Sequence, residues 1–212
     1  MSVTVVEHPL IAHHVGVMRD AATPGWLFRR SVSSLATIVG VTACSQIATQ
    51  TRDVQTPVAA AVGAELSPPG PLLVPILRAG LAMLESFLAL VPVSEVGFFG
   101  TKRDERTLTA HVYMDRLPAN LASRQVIVMD PMLATGGSLV TTIEHLVSRG
   151  ATDITCVCLV ASPAGVAAVE AASERLGVSA RLFVATVDAG LTNQGFITPG
   201  VGDAGDRLFG AF

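Results

Sequence analysis

The sequence predicts an α/β protein with a mostly parallel central sheet flanked by helices. From Leu72 onward, apolar runs of strand length alternate with patterns of helical spacing. The predicted strands are apolar on both faces, which is typical of a parallel sheet that helices cover on both sides. The chain has 212 residues, of which 50% are hydrophobic and 15% are charged. This length suits a single domain over residues 1–212.

The predicted elements follow one another at short intervals. Residues 1–20 are interpreted as an arm that leads into a helix beginning near Thr23-Pro24, because Pro after a Thr cap is a helix start signal. Residues 53–66 have a shorter, β-like pattern. Beyond them we predict strands at 72–77, 96–99, 125–130, 154–160 and 180–187, and helices at 82–90, 137–149 and 164–176.

Two segments break this alternation. Residues 101–116 are charged and lie between two predicted strands, which favours an exposed hairpin or a flexible lid. Residues 188–210 are rich in glycine and have little periodicity, so we expect an ordered but irregular C-terminal segment. Irregular segments on a rigid scaffold commonly carry binding function.

Charge and composition argue against several classes of protein. Lys and Arg (14) nearly balance Asp and Glu (17), and the net charge of −3 argues against a protein that wraps a nucleic acid. No apolar run approaches the roughly 20 residues that cross a bilayer, and no signal-peptide pattern opens the chain. Because Cys44, Cys156 and Cys158 form no CxxC pair, we expect buried or semi-buried thiols in a reducing, cytoplasmic compartment.

Three candidate functional residues share one predicted rim of the sheet. Ligands of open parallel sheets bind beyond the carboxyl ends of the strands. Arg78, Asp130 and Asp188 each stand where a predicted strand has just ended. The sequence therefore places the candidate site at this rim.

The loop "MDPMLATGGSL" (residues 129–139) has the composition of a phosphate-binding turn. Gly136 and Gly137 stand between a strand and a helix, where backbone N–H groups and the helix dipole attract anions. Thr135 and Ser138 add hydroxyl donors, but the loop lacks the lysine of a P-loop and the spacing of a dinucleotide-binding motif. Because Asp130 could accept hydrogen bonds from sugar hydroxyls, the sequence indicates a sugar-phosphate ligand.

The same loop resembles the phosphoribosyl-pyrophosphate (PRPP) signature of the type I phosphoribosyltransferases. With Pro after the acid, "DPMLATGGS" is similar to the uracil phosphoribosyltransferases of that family. So are "HPL" and "MRD" near the start, "VPILRAGLAM" and "RDERT" in the middle, and "GLTNQGFITPGVGDAGDRLFG" at the end. The resemblance covers nearly the whole chain. It implies the type I phosphoribosyltransferase fold, with a flexible hairpin lid and an irregular C-terminal base-binding segment.

The resemblance also implies two arginines for the diphosphate of PRPP. Arg78 lies in "LRAG", which matches the pyrophosphate-binding turn of the family. This turn often contains a non-proline cis peptide, and Gly80 would ease the close backbone approach there. Arg103 matches a second diphosphate-contacting arginine on the lid. The planar fork of an arginine can bind two oxygens at once.

The remaining implied PRPP contacts come from the loop and from the C-terminal segment. The implied catalytic residues are Arg78, Arg103, Asp130 and Asp203. The full set that the resemblance assigns to PRPP is Arg78, Arg103, Asp130, Pro131, Met132, Leu133, Ala134, Thr135, Gly136, Gly137, Ser138 and Asp203.

Uracil is assigned by the resemblance to the C-terminal segment. The matching residues are Ile197, Gly202, Asp203 and Ala204. Uracil presents an acceptor at O4 and a donor at N3, so backbone N–H and C=O groups can recognise that edge. Cytosine reverses both groups, and hydrogen-bonding sites of this kind can discriminate by roughly 10⁴-fold or more.

The implied reaction joins uracil to PRPP and gives UMP and pyrophosphate. Breaking the anomeric C–O bond builds oxocarbenium-like charge. We expect Mg²⁺ to be held by substrate oxygens and water, with no dedicated protein metal ligands. The implied partners are the two small-molecule substrates, with no nucleic acid and no membrane. The apolar excess favours a homodimer or homotetramer, and GTP is a candidate effector.

Two alternatives stay open at this point. One is a protein of the same fold that acts on a different base, or a pyrimidine regulator of that fold that binds RNA. Such a regulator would need a basic face, and the composition of this acidic chain gives no sign of one. The other is a catalytically silent sugar-phosphate sensor. Assays with several bases would separate these alternatives.

Overall fold

The computed structural model describes residues 1–103 and 110–211, apart from the side chains of residues 102, 103 and 110. The strands are β1 Ser2–Val5, β2 Thr49–Gln55, β3 Ala60–Leu66, β4 Leu72–Leu77, β5 Glu95–Val96, β6 Phe98–Arg103, β7 Ala110–Arg116, β8 Gln125–Met129, β9 Met132–Leu133, β10 Asp153–Ala161, β11 Arg181–Val187, β12 Gly190–Leu191 and β13 Ile197–Thr198. The helices are α1 Pro9–Arg19, α2 Gly25–Ala43, α3 Leu81–Leu90, α4 Gly137–Ser148, α5 Pro163–Leu176 and α6 Ala204–Phe209.

The main sheet contains nine strands in the described part of the chain, with the order β1-β11-β10-β8-β4-β6-β7. The short strands β5 and β9 pair with β4 and β10. All of these pairings are parallel except that of β6 with β7. The prediction of a mostly parallel α/β sheet is therefore confirmed.

Strand β8 shows why the sheet is buried on both sides. Its alternate residues point to opposite faces, as in any strand. Val126 and Val128 belong to the core that contains residues of α4 and α5, whereas Ile127 and Met129 belong to the core that contains residues of α1, α2 and α3. All four side chains are at most 1% exposed. An apolar run without alternation is thus the signature of a strand between two helical layers.

The central strands and helices lie where the sequence predicted them. Strand β4 has the predicted bounds, and the strands and helices predicted after residue 124 differ from the observed ones by at most one residue at each end. The predicted strand at 96–99 is the one that is misplaced, because the chain forms β5 and then β6, which continues to residue 103. The interruption falls at Gly97, whose N–H donates to the carbonyl of Leu73.

The interpretation of residues 1–20 as an arm is wrong. Residues 2–5 form β1, which adds to the edge of the sheet beside β11, and residues 9–19 form α1. The His8 side chain caps α1 by accepting from the N–H of Leu10, and Pro9 occupies the first turn. Ile11, Val15 and Met18 bury one face of this helix. The weak pattern of a one-sided edge strand gave no signal from the sequence alone.

The predicted Thr cap of the second helix is also wrong. Helix α2 begins at Gly25 with Pro24 as the capping residue, and no side chain caps it. The Thr23 hydroxyl instead donates to the carbonyl of Val17, over 2.7 Å. Thr23 therefore ties the start of α2 to the preceding helix.

The charged segment forms an antiparallel hairpin, as predicted. Strands β6 and β7 pair from Phe98 opposite Arg116 to Arg103 opposite Ala110. Residues 104–109 and the side chain of Arg103 lie outside the described residues. Asp115 near the base of β7 forms an ion pair with Arg149, which joins the hairpin to the end of α4.

The thiols are buried or half-buried, as predicted. Cys156 and Cys158 are buried in β10, and Cys44 is half-buried. Burial raises the pKa of Cys44 to about 11 and that of Cys156 to about 12. In the described part of the chain, no helix is both long and apolar enough to cross a membrane.

The turn between β4 and α3 depends on a glycine. The Leu77–Arg78 peptide bond is cis, as the resemblance implied. A Cβ atom on Gly80 would lie 2.3 Å from the carbonyl oxygen of Met129 and 2.7 Å from the nitrogen of Ile76. These obstacles are backbone atoms, which cannot rotate away. Only glycine allows β4, β8 and the start of α3 to approach this closely.

We predict that Gly80→Ala lowers the free energy of unfolding by about 1–3 kcal/mol or more, because overpacking against the backbone forces neighbouring strands apart. The control is Gly16→Ala in α1, where no atom lies within 4 Å of the added Cβ. That variant should gain about 0.5–1 kcal/mol, since glycine is a poor helix former. Denaturant unfolding of both variants measures the difference. Equal stability of the two variants would contradict the role of Gly80.

Candidate active site

A cavity of about 940 Å³ lies beyond the carboxyl ends of β4 and β8. Ala79 follows β4, and Met132, Ala134 and Ser138 belong to the loop after β8. Residues 193–197 and 201–205 of the C-terminal segment form the opposite wall. The predicted rim of the sheet therefore carries the cavity.

The loop after β8 is anchored through its carbonyl groups. The carbonyl oxygen of Pro131 accepts from the N–H groups of Leu159 and Val160, over 3.0 Å each. The carbonyl oxygens of Leu133 and Ala134 accept from the backbone N–H and the hydroxyl of Ser162, over 2.9 Å and 2.6 Å. Strand β10 and the start of α5 thus hold the loop from one side.

Small residues of α5 let that helix approach the loop. A Cβ atom on Gly165 would lie 2.6 Å from the carbonyl oxygen of Ala134, and one on Gly136 would lie 2.8 Å from Cβ of Ala168. The Ser162 hydroxyl also caps α5 by accepting from the N–H of Gly165, over 3.0 Å. One serine therefore orders both the helix and the loop.

The loop ends at the N-terminus of α4. Gly136 caps this helix with a left-handed backbone, φ +84°, and has no side chain that could bond to the helix start. The first N–H groups of an α-helix have no acceptor within the helix. With the dipole of α4, this end of the helix is suited to bind a phosphate group. Thr135, Gly137 and Ser138 of the predicted set lie at the same turn.

Asp130 stands between the sheet and this turn. Its N–H continues the pairing of β8 by donating to the carbonyl of Val157, over 3.1 Å. Its Oδ1 accepts from the N–H of Met132, over 3.4 Å, and its side chain is half-buried. Strand pairing thus fixes the backbone of the carboxylate beside the cavity.

Arg78 and Asp203 reach the same point from opposite walls. Arg78 is exposed in the turn after β4, and Asp203 caps α6 by accepting from the N–H of Asp206, over 2.9 Å. A methyl group placed on Gly205 would lie 3.2 Å from Oδ1 of Asp203 and 3.8 Å from Nη2 of Arg78. The fold brings these two residues together across 125 positions of the sequence.

The C-terminal segment is ordered, with short elements that the sequence did not reveal. Strands β12 and β13 pair, and Thr198–Pro199 is a cis peptide bond. Gly200 has φ +55°, and a Cβ atom there would lie 2.0 Å from the carbonyl oxygen of Ile197, so this turn requires glycine. Ile197 and Ala204 are buried, whereas Gly202 and Asp203 are exposed. All four residues assigned to uracil line the cavity.

Asp188 differs from the other two residues of the predicted rim, because it is buried, whereas Arg78 is exposed and Asp130 is half-buried. None of the three lines the cavity itself. The side chain of Asp188 is 3% exposed and forms an ion pair with Arg19 at the end of α1. Burial acts to raise the pKa of Asp188, but hydrogen bonds from Arg19 and from the N–H of Gly200, with the charge of Arg19, outweigh it and lower this pKa. Asp188 is therefore a buried carboxylate that stays charged.

The sequence did not predict several residues that support the site. Ser162 and Gly165 had a local signal in "SPAG", a serine cap followed by Pro in the first turn, but nothing linked them to the loop. Arg19 had none, since its partner lies 169 positions away. The backbone of Arg103 lies at the end of β6, and its side chain is outside the described residues.

The arrangement combines three chemical functions around one cavity. The start of α4 can hold a phosphate, Asp130 can accept hydrogen bonds from a sugar, and the turn at Ile197 to Ala204 presents backbone groups to a planar ligand. Arg78 supplies positive charge beside Asp203. Such a cavity fits a phosphorylated sugar together with a small base.

Comparisons with known proteins agree with this geometry. The family model described as uracil phosphoribosyltransferase matches residues 5–211. The chain is 49% identical to the uracil phosphoribosyltransferase of Beutenbergia cavernae, with 99% of each chain covered. It is 48% identical to that of Streptomyces coelicolor, covering 100% of this chain and 99% of the relative.

Solved structures give the same picture of the fold. A protein of Aquifex aeolicus is 34% identical, with a TM-score of 0.89 and coverage of 99% of this chain and 98% of that one. A hypoxanthine-guanine phosphoribosyltransferase of Bacillus anthracis, 11% identical, has a TM-score of 0.51 over 77% of this chain and 80% of that one, and shares the fold alone. Because the family model spans nearly all of it, the chain belongs to the uracil phosphoribosyltransferase family.

Proposed function

We propose that this chain transfers the 5-phosphoribosyl group of PRPP to uracil and releases UMP and pyrophosphate, as a step of pyrimidine salvage. The observation that carries the proposal is a single cavity that joins the loop of residues 130–138 to the C-terminal turn. The relatives that match the whole chain are named uracil phosphoribosyltransferases. We further propose that residues 1–212 act as one domain.

The 5-phosphate of the substrate would bind at the start of α4. Residues 135–138 supply backbone N–H groups and two hydroxyls at the positive end of the helix dipole. The ribose hydroxyls would donate to Asp130. This placement fixes the sugar at the rim of the sheet, with its anomeric carbon directed along the cavity toward the C-terminal turn.

The diphosphate would bind between Arg78 and Arg103. Arg78, in the turn after β4, lies beside Asp203 of the opposite wall. As the anomeric C–O bond breaks, positive charge grows on the ribose and negative charge grows on the leaving diphosphate. The arginines stabilise the leaving group, while the loop holds the sugar in line with the base. The chain needs no covalent nucleophile for this step.

The residues of the site fit a magnesium ion held mainly by substrate. The carboxylates of the proposed site, Asp203 on the cavity wall and Asp130 in the loop after β8, come from separate segments, and the described residues contain no group of three or more potential metal-ligating side chains. Mg²⁺ binds few protein groups when substrate phosphates are available. When bound, it would neutralise charge on the departing diphosphate.

The base would bind at the turn formed by Ile197, Gly202, Asp203 and Ala204. Ile197 and Ala204 are buried in this turn, whereas Gly202 and Asp203 are exposed. Because Gly202 has no side chain, its backbone is open to a ligand. Backbone N–H and C=O groups cannot exchange roles, so an edge with acceptor and donor in the order of uracil is favoured over that of cytosine.

We also propose a homodimer or homotetramer located in the cytoplasm. The hairpin of β2 and β3 forms its own two-stranded sheet, with Val58 93% exposed and Val62 72% exposed. A two-stranded hairpin is marginally stable alone, so a second copy of the chain is a fitting cover for it. GTP stays a candidate effector, which activity measurements with and without GTP would test.

The reaction is tested by incubating the protein with PRPP, Mg²⁺ and each of uracil, cytosine, hypoxanthine and orotate, followed by chromatography of the nucleotides. We expect UMP from uracil and at least about 10⁴-fold lower kcat/KM for cytosine, because reversed hydrogen-bonding groups are left unpaired. A lack of UMP with uracil would overturn the proposed function. Faster turnover of another base would show that the proposed specificity for uracil is wrong.

Arg78→Ala should lower kcat/KM by about 10²–10³-fold, the usual loss when one charged or hydrogen-bonding contact to a transition state is removed. The fold should persist, because the side chain is exposed. Arg175→Ala is the control. This exposed arginine lies near the end of α5, where it pairs with Glu144 of α4, and it does not line the cavity. Wild-type turnover in Arg78→Ala would contradict the proposed contact with diphosphate.

Removal of metal ions by a chelator tests whether Mg²⁺ acts in catalysis or stabilises the fold. With excess EDTA we expect UMP formation to stop and to return on addition of Mg²⁺, because the leaving diphosphate is then no longer neutralised. The Tm should not change, since the ion is held mainly by substrate. Full activity in EDTA would contradict the role of Mg²⁺, and a lower Tm would point to an ion bound by the protein itself.

A further inference from the structure

Arg19 and Asp188 form a partly buried, bidentate ion pair. Nη2 of Arg19 lies 2.6 Å from Oδ1 of Asp188, and Nη1 lies 2.7 Å from Oδ2. The side chains are 29% and 3% exposed. The pair joins the last residue of α1 to the residue that follows β11. Two parallel hydrogen bonds of this kind fix both distance and orientation.

The same two side chains bind both backbone groups of Gly200. Oδ2 of Asp188 accepts from the N–H of Gly200 over 2.8 Å, and Nη1 of Arg19 donates to its carbonyl oxygen over 3.1 Å. Gly200 forms the tight turn between Ile197 and Gly202. The ion pair therefore fixes the one residue that sets the spacing between the two parts of the base site.

A second arginine holds the turn from the other side. Nη1 of Arg207 in α6 donates to the carbonyl oxygen of Val201 over 2.9 Å and also to that of Met18. Its Nη2 donates to the carbonyl oxygen of Asp20 over 2.7 Å, and its guanidinium lies 4.4 Å from the ring centre of Phe28. The C-terminal end of α1 thus receives contacts from both sides of the turn.

We propose that Arg19 and Asp188 are positioning residues that determine base specificity through Gly200, a role that rests on the proposed function of the cavity. Neither residue lines the cavity, and the pair reaches the base site through its hydrogen bonds to Gly200. A site that recognises a base through backbone groups has no side-chain rotamers to adjust. Its selectivity depends on how firmly the backbone is held. The ion pair supplies this rigidity to the turn.

The decisive variant removes the pair without leaving a buried charge. Removing one partner of a buried ion pair is strongly destabilising, whereas replacing both by apolar residues of similar volume is often neutral. The double variant Arg19→Met with Asp188→Leu is therefore expected to fold, but it loses both contacts to Gly200. Arg19→Lys is a second variant that keeps the charge and loses the fork.

The matched control is an ion pair at the opposite end of the same strand. Arg181 begins β11 and pairs with Asp153 at the start of β10, away from the cavity. The double variant Arg181→Met with Asp153→Leu removes the same two residue types from the same sheet. It should leave both Michaelis constants as in the wild type.

Steady-state kinetics with each substrate varied separately test the proposal. For Arg19→Met/Asp188→Leu we expect KM for uracil to rise by about 10–100-fold, the scale of loss when a reacting group is misplaced by about 1 Å. KM for PRPP should stay within about threefold, and the preference for uracil over cytosine should fall. Arg19→Lys should give a smaller rise in KM for uracil.

Two other results would overturn the proposal. One is a folded double variant, shown by circular dichroism, with wild-type KM for uracil and unchanged base preference. The other is an equal rise in both Michaelis constants, which a merely structural role would produce. Equilibrium dialysis of labelled uracil repeats the comparison without turnover. Absence of UMP formation by the wild type would overturn the proposed reaction, while the dialysis would still decide the role of the pair.

Discussion

The hydrogen bonds that join the loop after β8 to β10 and Ser162 are the interaction on which the site depends. In these bonds the carbonyl oxygens of Pro131, Leu133 and Ala134 accept from groups of β10 and Ser162. With those acceptors bound on one side, the following residues turn into the start of α4, where N–H groups lack acceptors within the helix. The parallel pairing of β8 with β10 sets the position of Asp130 as well. The proposed anion site and the proposed sugar contact are therefore consequences of how two neighbouring strands end.

Close approach of backbones shapes the rest of the cavity. Gly80, Gly165 and Gly200 each stand where an added Cβ would lie within 2.6 Å of a backbone oxygen. Gly80 lets the turn that carries Arg78 lie against β8, Gly165 lets α5 reach the loop, and Gly200 lets the C-terminal turn close. Each position carries a different part of the substrate in the proposed reaction. The lack of a side chain at these three positions thus lets the walls of one cavity come together. In the proposed reaction, that cavity receives phosphate, diphosphate and base.

Local charge explains how an acidic chain can bind a substrate with several phosphates. The net charge of −3 gives no general attraction for anions. The positive groups of the site are Arg78 and the dipole of α4, with Arg103 in the proposed lid. Asp188, by contrast, is neutralised by Arg19 and withdrawn from the cavity. Arg19 thus balances the charge of one carboxylate of the rim, and Arg78 lies beside another, Asp203.

The sequence by itself determined the sheet, the loop and the family resemblance. Strands such as β4 and β8 are apolar on both faces, and "DPMLATGGS" keeps its chemistry within a few consecutive residues. Patterns of this kind lie within consecutive residues, so they can be recognised without knowing which distant segments they contact. Only the tertiary structure decided that residues 2–5 join the sheet, that Ser162 supports the loop and that Arg19 binds Asp188 across 169 positions. These depend on contacts between distant segments, and the pairing of a charge with its partner follows from the path of the backbone.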